Sequence, residues 1–455
     1  MSVKEFQNKN VLVLGAGISG MSVAHILQNI GAVVTLSDSK CQEEIRKDFS
    51  KLIGEGVTLA LGKQNELLLT DFDYIVVSPG ISIYSPLISK ARNLGIEVIS
   101  EVEVAYRLCR APIVAVTGTN GKTTTTTLIG DMLKTTNQHV VVGGNIGAAL
   151  SQEVAEVPAE GAVIAEISSF QLEGVKNFHP RIAAILNITP DHLDRHKTMQ
   201  TYIAMKERIF ATQGPEDFLI LNYDDHIVRD MARKVSSQVL YFSRREEEMR
   251  SAVYVKNDII TIDWNEKVYP VCSVREMKLF GAHNVENALA ACGVAFFAGV
   301  PVDKMAAVLR TFEGVEHRIE LVATINQVTY YNDSKATNPE SSIKALEAFP
   351  GNIVLIAGGR DKNTDLTEFM NLVKHKTDAV IFIGEAAERF TLAAEQNGVK
   401  HIYPAETLEA AVDKAYQIAR APQVVLLSPA CSSYDMFTNY EERGREFKRL
   451  VQKLG

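Results

Sequence analysis

Three stretches of the chain run from a short apolar segment straight into a glycine turn. They are Val11–Leu14 before Gly15, Ile113–Val116 before Thr117 and Gly118, and Ile353–Ala357 before Gly358 and Gly359. Apolar runs without polar alternation are typical of strands that are buried on both faces of a parallel sheet. The pattern therefore predicts an α/β fold in which each stretch opens its own α/β unit.

Helical and strand periods alternate after the first and the third of these turns. Near the start, Val23, Ile26, Leu27 and Ile30 share one helical face, Gly31 is placed to end that helix, and Val33–Leu36 is the next predicted strand. The last third is predicted to contain a strand at Ala379–Ile383, a helix at Leu408–Ala419 and a strand at Val424–Leu427. Such alternation indicates βαβ units with parallel strands.

The middle third has one interruption, between about Val239 and Val271. Val253–Ile262 and the residues around Trp264 alternate about the turn-like pairs Asn257-Asp258 and Asn265-Glu266. This predicts antiparallel hairpins inserted in an α/β domain. Domain boundaries are expected where one α/β unit ends and the next begins, which divides the chain into residues 1–105, 106–314 and 315–455.

Composition narrows the classes of partner. The 455 residues are enough for about three domains of ~150 residues each, and 46% hydrophobic with 22% charged residues is usual for a globular chain. The net charge of −8 gives no support for binding nucleic acid or an acidic membrane surface. An anionic ligand must therefore be held locally, by backbone N–H groups, helix N-termini and a few Lys or Arg side chains.

The cysteines and the apolar runs indicate the cellular compartment in which the protein is expected. The five cysteines are odd in number and scattered without a C-x-x-C pair, which indicates reduced thiols. Residues 1–10 contain no continuous apolar region of a secretory signal, and no stretch reaches the ~18 apolar residues of a membrane helix. We expect a cytoplasmic protein without membrane insertion.

The first glycine turn, Gly15-Ala16-Gly17-Ile18-Ser19-Gly20, matches the dinucleotide-binding pattern G-x-G-x-x-G. It follows a predicted strand, opens a predicted helix, and is followed by Asp38 at the end of the next strand. Small residues there let the backbone approach a phosphate at the positive end of the helix. A uridine diphosphate suits the turn as well as a dinucleotide does, and a tight turn without ligand is the structural alternative.

The second turn, Gly118-Thr119-Asn120-Gly121-Lys122-Thr123, is a shortened phosphate-binding loop, because Val116 stands where a full P-loop has its first glycine. Its backbone N–H groups can surround phosphates, Lys122 can reach the β and γ oxygens, and the Thr123 hydroxyl can bind Mg²⁺. Five consecutive threonines, Thr123 to Thr127, are poor helix formers. We therefore expect packing or ligand contact to hold that helix.

Two side chains could join the Thr123 hydroxyl in a metal site near this loop. Glu166 follows the apolar run Ala162–Ala165, and His192 follows the predicted strand Ala183–Ile188. Because Mg²⁺ prefers oxygen donors, His192 would be a minority ligand, and by itself it is better explained as a loop histidine. Lys206 alone is best explained as a surface lysine of an amphipathic helix.

Further polar groups follow other predicted strands. Asn284 and Asn287 share one face of a helix and could bind a base edge or cap that helix. The last domain adds Arg318, Asn332–Asn338, Gly358–Lys362 and Ser428–Ser433. Together they predict a domain rich in anion-binding groups.

These motifs resemble those of the Mur ligases, ATP-dependent amide-forming enzymes of peptidoglycan precursor synthesis. The resemblance rests on the Gly118–Thr123 loop, Glu166–Leu172, His283–Asn287, Glu316–Arg318 and Asn332–Asn338, and it covers essentially the whole chain. Ser78-Pro79-Gly80, Gly143–Gly147 and the segment from Ser428 are most similar to the member that joins D-glutamate to UDP-N-acetylmuramoyl-L-alanine.

The resemblance implies three domains: a Rossmann-like UDP-binding domain, a central P-loop ATPase-type domain and a C-terminal Rossmann-like domain for the amino acid. It also implies that the acceptor carboxylate is phosphorylated by ATP, giving an acyl phosphate that D-glutamate attacks. The product would enter cell-wall biogenesis, on which cell shape, division and the cell cycle depend. We expect a monomer whose partners are these small substrates.

The resemblance assigns roles to individual residues. Those implied near UDP are Ile18, Ser19, Asp38 and Ser39, and those near muramoyl-alanine are Asn145 and Gln171. Those implied for ATP are Gly118, Thr119, Asn120, Gly121, Lys122, Thr123, Thr124, Asn284, Asn287, Arg318 and Asp333. Those implied on the D-glutamate side are Lys335, Thr337, Lys362, Ser433 and Tyr440. Two Mg²⁺ sites would use Thr123, Glu166 and His192, with Lys206 carbamylated to support the second metal.

Several alternatives stay open at the level of sequence. A nucleotide-sugar or NAD dehydrogenase would use only the first glycine turn, and a folylpolyglutamate-type ligase would share the reaction but not a UDP-suited first domain. A related ligase could add a different amino acid, and a regulator could bind ATP without forming an amide.

Overall fold

The computed structural model describes residues 3–45, 47–62, 69, 71–137, 139–245, 250–279 and 281–455. The strands are β1 (Asn10–Leu14), β2 (Val33–Asp38), β3 (Thr58–Leu61), β4 (Tyr74–Val77), β5 (Glu97–Ser100), β6 (Ile113–Thr117), β7 (Val140–Gly144), β8 (Ala162–Glu166), β9 (Ile182–Ile185), β10 (Phe218–Asn222), β11 (Gln238–Ser243), β12 (Ala252–Lys256), β13 (Ile259–Trp264), β14 (Lys267–Ser273), β15 (Glu320–Ile325), β16 (Val328–Asn332), β17 (Ile353–Gly358), β18 (Thr377–Ile383), β19 (Ile402–Ala405) and β20 (Val424–Leu427).

The α-helices are α1 (Ile18–Asn29), α2 (Gln42–Ile45), α3 (Ser50–Gly54), α4 (Pro86–Asn93), α5 (Glu101–Leu108), α6 (Lys122–Lys134), α7 (Leu150–Val154), α8 (Ser169–Leu172), α9 (Leu193–His196), α10 (Met199–Glu207), α11 (His226–Asp230), α12 (Ala282–Phe297), α13 (Val302–Thr311), α14 (Pro339–Glu347), α15 (Thr367–Lys376), α16 (Ala387–Gln396), α17 (Leu408–Ile418) and α18 (Tyr440–Gln452). In the described ranges, none of the helices is both long and apolar enough to cross a membrane.

Three sheets organise the chain, as the apolar pattern predicts. The first has the order β3-β2-β1-β4-β5 and is parallel throughout. The second has nine strands in the order β14-β13-β12-β11-β10-β9-β6-β8-β7. The third has the order β15-β16-β20-β17-β18-β19 and is parallel except for the β15–β16 pair. The α/β fold class is confirmed, and the three predicted opening strands are β1, β6 and β17.

The predicted antiparallel hairpins are present within the central α/β sheet. β12, β13 and β14 pair antiparallel, and β12 pairs in parallel with β11, so the hairpins extend the edge of the central sheet. The prediction of a strand over Ala183–Ile188 is wrong at its end, because β9 stops at Ile185. Beyond it, the amide of Ile188 bonds the Asp225 carboxylate at 2.8 Å instead of a neighbouring strand.

The chain divides into two compact units. The first comprises residues 1–278 and 285–312 and holds the first two sheets, and the second comprises residues 279–284 and 313–455 and holds the third sheet. The division falls within α12, so that Asn284 belongs to the second unit and Asn287 to the first.

Within the first unit, a buried ion pair joins the first sheet to the central one. Arg107 on α5 bonds Glu103 at 2.9 Å and also Glu5 and Glu97 at 2.7 and 2.8 Å. Glu103 in turn accepts the backbone N–H groups of residues 176, 177 and 178 at 2.8 to 3.0 Å. A buried carboxylate needs this many donors to offset its lost hydration.

Candidate functional site

The central glycine turn lies between β6 and α6 in a conformation that glycine permits. Gly118 and Gly121 have φ values of +155° and +83°, where a side chain would be strained. Asn187 holds the turn from the next loop. Its side chain accepts from the Asn120 amide at 2.8 Å and donates to the Asn120 carbonyl at 3.1 Å. The turn therefore stands at the N-terminus of α6, where amides and the helix dipole favour an anion.

Two ammonium groups meet at one carbonyl of this turn. Lys122 donates to the Gly118 oxygen at 2.9 Å and to the Thr119 oxygen at 2.8 Å. Lys206, from α10, donates to the same Gly118 oxygen at 2.8 Å. Burial holds the pKa of Lys206 well below its usual value, and the charge of Lys122 lowers it further, against the opposing effect of Asp191 and Glu166. An amine of low pKa can lose its proton and act as a nucleophile.

Lys206 is not a surface lysine, so that interpretation of the sequence is wrong. Lys206 is only 1% exposed, and its Nζ atom lies 4.8 Å from the centre of the Tyr202 ring. The Tyr202 hydroxyl lies 3.0 Å from the Thr119 hydroxyl. Sequence reasoning gave Tyr202 no role, although its position four residues before Lys206 puts both on one helical face.

Glu166 ends β8, and one of its two carboxylate oxygens has no hydrogen-bond donor among the described residues. Its Oε1 atom accepts from the Asn145 side chain at 2.7 Å. Its Oε2 atom is buried and has no hydrogen-bond partner among the residues that the structure describes. A buried carboxylate oxygen without a donor is costly and is suited to a cation. Asn145 and Glu166, for which the sequence predicts different roles, are thus brought together.

The threonine run is packed as expected. Thr123, Thr124, Thr125 and Thr126 are all buried. The Thr125 hydroxyl donates to the Asn287 side-chain oxygen at 3.3 Å. Asn287 therefore lies against the start of α6, beside Gly121.

The His192 segment is more exposed than these buried groups. His192 has φ +53°, and its side chain is 43% exposed, with Nε2 3.4 Å from the Asp191 carboxylate. Its ring lies 4.7 Å from that of Phe170. A left-handed non-glycine residue is uncommon and often marks a functional position. The neighbouring Asp191, whose charge raises the pKa of Lys206, is a carboxylate that sequence reasoning did not single out.

Arg195 connects this segment to the first sheet. It pairs with the buried Glu173 at 2.6 Å and donates to the carbonyls of Pro79 and Ile81 at 2.7 and 2.9 Å. These carbonyls belong to the loop after β4. Sequence reasoning missed this contact, because nothing in the order of residues pairs two loops that lie more than a hundred positions apart.

Gln171 serves the local structure of α8. Its side-chain oxygen accepts from the amide and the hydroxyl of Ser168, each at 2.9 Å, in a reciprocal capping box. Such a cap satisfies amides at the helix start. The structure therefore supplies a structural reason for Gln171 alongside the predicted substrate contact.

The first glycine turn is shaped by close packing. A Cβ atom at Gly20 would collide with the Gly15 carbonyl, and the Ser78 hydroxyl donates to that carbonyl at 3.1 Å. Asp38 accepts from the Ala16 amide at 2.8 Å. Lys47, which sequence reasoning missed, donates to the Ala16 carbonyl at 3.3 Å.

The other residues of this turn are open to solvent. Ile18 is 71% exposed at the start of α1, Ser19 is half-buried, and Ser39 follows β2 at the surface. An apolar side chain left this exposed at a helix N-terminus is available to a ligand.

The second unit contains a buried carboxylate, Asp333, directly after β16. Asp333 accepts from the Ser428 hydroxyl at 2.8 Å and from the Ile319 amide at 3.3 Å. Burial raises the pKa of Asp333 to about 7, against the opposing charge of Arg318 and these hydrogen bonds. The Arg318 Nε atom is buried without a hydrogen-bond partner in the described part of the chain.

The predicted D-glutamate residues lie on neighbouring loops of the second unit. Lys362 donates to the Thr337 carbonyl at 3.2 Å, and the Lys335 ammonium lies 5.3 Å from the centre of the Tyr440 ring. Ser433 is buried at the loop after β20.

Arg443 orders these loops and was not found from the sequence. It is fully buried on α18 and donates to the Ser334 carbonyl at 2.7 Å and to the Cys431 carbonyl at 3.2 Å. Burial lowers the pKa of Arg443 to about 10. The charge-rich sequence around it looks like an exposed helix face, so the pattern carried no signal.

Family models match all three parts of the chain. The model described as Mur ligase MurD-like, N-terminal domain, matches residues 9–100. The Mur ligase middle domain matches residues 116–295, and the Mur ligase, glutamate ligase domain, matches residues 317–431. The chain belongs to the Mur ligase family. Lys122, the buried Lys206 and the Glu166 carboxylate lie inside the matched middle domain of this Mur ligase.

Curated relatives resemble this Mur ligase over its full length. The UDP-N-acetylmuramoylalanine–D-glutamate ligase of Caldanaerobacter subterraneus subsp. tengcongensis is 44% identical over 456 residues, which cover 99% of each chain. The enzyme of the same name from Pelotomaculum thermopropionicum is 45% identical over 452 residues, also 99% of each chain.

A solved structure supports the fold of this Mur ligase. MurF ligase from Thermotoga maritima in complex with ADP has a TM-score of 0.61 and 18% identity, covering 100% of this chain and 97% of that one.

Gly121 gives a sharp test of the central turn. A Cβ atom there would collide with the Asn287 side-chain oxygen, whereas at Gly299, with nearly the same φ of +82°, nothing lies within 4 Å. Both alanine variants carry the left-handed strain of ~1 kcal/mol. We expect Gly121→Ala to weaken ATP binding at least tenfold by calorimetric titration and Gly299→Ala to leave it unchanged. Equal affinities in the two variants would contradict this.

Asp333 should make the second unit less stable as pH rises. Its pKa is about 7 in the fold and ~3.9 in an unfolded chain. The stabilisation of its protonated form is therefore complete below the lower value and is lost as pH rises through the upper one. From about pH 5 to about pH 8, the free energy of unfolding should fall in both proteins, and the fall should be roughly 2–3 kcal/mol smaller in Asp333→Asn than in the parent protein.

The measurement is amide hydrogen exchange of β16 and β20, compared between variant and parent at each pH. Asp413→Asn, at an exposed position of α17, is the matched control. Parallel pH profiles for the Asp333 variant and the parent would disprove the effect.

Proposed function

We propose that this chain joins D-glutamate to UDP-N-acetylmuramoyl-L-alanine with hydrolysis of ATP to ADP and phosphate, in peptidoglycan precursor synthesis. The observation that carries the proposal is full-length similarity, at about 44% identity, to ligases named for this reaction. Membership of the Mur ligase family counts against the dehydrogenase and the non-catalytic regulator.

The three predicted segments have complementary tasks in this proposal. Residues 1–105 bind the UDP part through the Gly15–Gly20 turn, residues 106–314 bind ATP, and residues 315–455 bind D-glutamate. The local geometry supports the first task, because the turn presents helix-start amides next to Asp38 and Lys47. The proposed setting is the cytoplasm, with the protein acting as a monomer.

The proposed reaction has two displacements. The terminal carboxylate of the acceptor attacks the γ-phosphorus of ATP, ADP leaves, and an acyl phosphate forms. The amine of D-glutamate then attacks the acyl carbon, loses a proton, and phosphate leaves as the amide bond forms. Lys122 moves from its two turn carbonyls to the phosphate oxygens, where its charge opposes the charge developing on the transferred group.

Residues around the turn fit a magnesium ion. Glu166 offers a buried oxygen without a donor, and Thr123 and His192 are the further proposed ligands. When bound, Mg²⁺ would neutralise charge on the phosphate oxygens. The role of the chain is to hold Glu166 in place through Asn145 and to exclude water around Lys206.

Lys206 fits the proposed carbamylation because its pKa is low and the site is enclosed. The ammonium would first release a proton, and the neutral amine would then attack CO₂ and release a second proton, so that an anionic carbamate replaces the cation. This change would remove the repulsion with Lys122 and supply oxygen atoms for a second metal.

The proposed reaction is tested by phosphate release with purified UDP-N-acetylmuramoyl-L-alanine, ATP and a panel of amino acids. We expect release with D-glutamate, at least tenfold above L-glutamate, D-aspartate and D-alanine. Lys122→Ala should reduce the rate by at least a thousandfold, because the transition-state charge loses its main protein cation. Preference for another amino acid would reject the substrate, and a near-normal Lys122→Ala rate would reject the role of Lys122.

The Lys206 proposal has a test of its own. Lys206→Ala should lose at least 99% of the activity, and short carboxylates such as acetate should restore part of it. Protein equilibrated with ¹³C-bicarbonate should give a carbamate carbon resonance that Lys206→Gln lacks. Lys234→Ala, which removes an exposed lysine paired with Glu207, is the control and should keep full activity. A parent protein without the resonance would contradict the carbamate.

A further inference from the structure

A cleft in the first unit has no role in the proposed reaction. It has a volume of about 780 Å³ and lies beside β5, the edge strand of the first sheet. The walls come from α4, from the loop after α8 and from the end of α10. The lining residues that matter here are Tyr84, Arg92, Glu97, Glu173, Lys176 and Arg208.

The carboxylates of the cleft are already paired. Glu97 bonds Arg107 at 2.8 Å and lies 3.4 Å from Lys176. Glu173 is buried and bonds Arg195 at 2.6 Å. Each carboxylate is therefore hydrogen-bonded to another cation, and neither forms an ion pair with Arg92 or Arg208 in the described residues.

Those two groups, Arg92 and Arg208, have only backbone carbonyls as hydrogen-bond acceptors in the part of the chain that the structure describes. Arg92 donates to the Ile83 carbonyl at 3.4 Å, and Arg208 donates to the Val175 carbonyl. Burial lowers the pKa of the Arg208 guanidinium and the charge of Arg92 lowers it further, while Tyr84, Glu103 and Glu173 raise it. Two like charges that influence each other across a cleft favour an anion between them.

We propose that this cleft binds a small organic oxyanion, a phosphate monoester or a dicarboxylate, held between Arg92 and Arg208. Guanidinium forks match the paired oxygens of both ligand classes and stay charged at every physiological pH. The exposed Tyr84 ring gives the ligand an apolar contact at the rim.

The bound anion would join two parts of the first unit. Arg92 lies on α4 beside the first sheet, and Arg208 immediately follows α10, the helix that carries Lys206. An anion that binds the folded protein only must also stabilise it. The site is separate from the turns that are proposed to hold UDP and ATP, so its failure would leave the proposed function intact.

The test is calorimetric titration with two probes, glycerol 3-phosphate and succinate. The full-length protein is first saturated with ADP, UDP and D-glutamate, so that the proposed substrate sites are filled. We expect one equivalent of probe to bind, and Arg92→Gln and Arg208→Gln each to weaken binding at least tenfold. Arg233→Gln, at an arginine with an 83% exposed side chain, is the control and should bind as the parent protein does.

Binding of either probe with this dependence supports the proposal, and the tighter probe identifies the ligand class. The proposal is overturned if neither probe binds the parent protein at millimolar concentration, or if Arg92→Gln binds as the parent does. Arg208 also holds the Val175 carbonyl, so its variant could fail to fold. Arg92 is at the surface, and its variant therefore decides the question alone.

Discussion

The carbonyl oxygen of Gly118 accepts a hydrogen bond from each of two lysines, and the arrangement of the polar groups around the central turn depends on this contact. Like charges at such separations repel by several kcal/mol in a partly desolvated site. The fold tolerates the pair because Lys206 gives up its proton easily, while Lys122 stays near the mouth of the turn. Arrival of a polyphosphate would give Lys122 a better acceptor than a carbonyl.

The Glu166 carboxylate of the same site is only partly satisfied by hydrogen bonds. One oxygen of Glu166 is fixed by the Asn145 amide, and the other has no donor in the described chain. A site that leaves a buried acceptor unsatisfied is less stable than it could be, and local cost of this kind is common where a protein must bind a cation. Burial of the Lys206 amine and burial of the Glu166 carboxylate therefore both cost free energy, which bound substrates could offset.

Much of the fold follows from local sequence, because strands buried on both faces and glycine turns carry strong signals. The strands before Gly15, Gly118 and Gly358 are where the apolar runs predict them, and the Val424–Leu427 strand has the same ends in sequence and structure. The joining of the hairpins to the central sheet could not be predicted, because edge pairing depends on long-range contacts.

The contacts of the site residues that could not be predicted also join parts of the chain that are distant in sequence. Helical spacing alone puts Lys206 on an amphipathic face, and only its packing beneath the turn shows that this face is buried. Arg443 and Arg195 act on backbone carbonyls of distant loops, and a carbonyl has no signature in sequence. The turn at Gly118–Thr123 could be located from the sequence because its two glycines mark the positions of positive φ between β6 and α6. The residue roles carried over from the family resemblance stay predictions.

The Glu103 carboxylate, which receives three consecutive amides from the neighbouring sheet's loop, limits how this architecture can be modified. A fragment that ended near residue 105 would keep the acid and lose both the amides and Arg107, leaving a negative charge without its hydrogen-bond donors. Exchange of the first sheet and its helices with those of a relative would meet the same obstacle unless the loop that donates these amides was exchanged as well. The first two sheets therefore depend on each other structurally, although each has a hydrophobic core of its own.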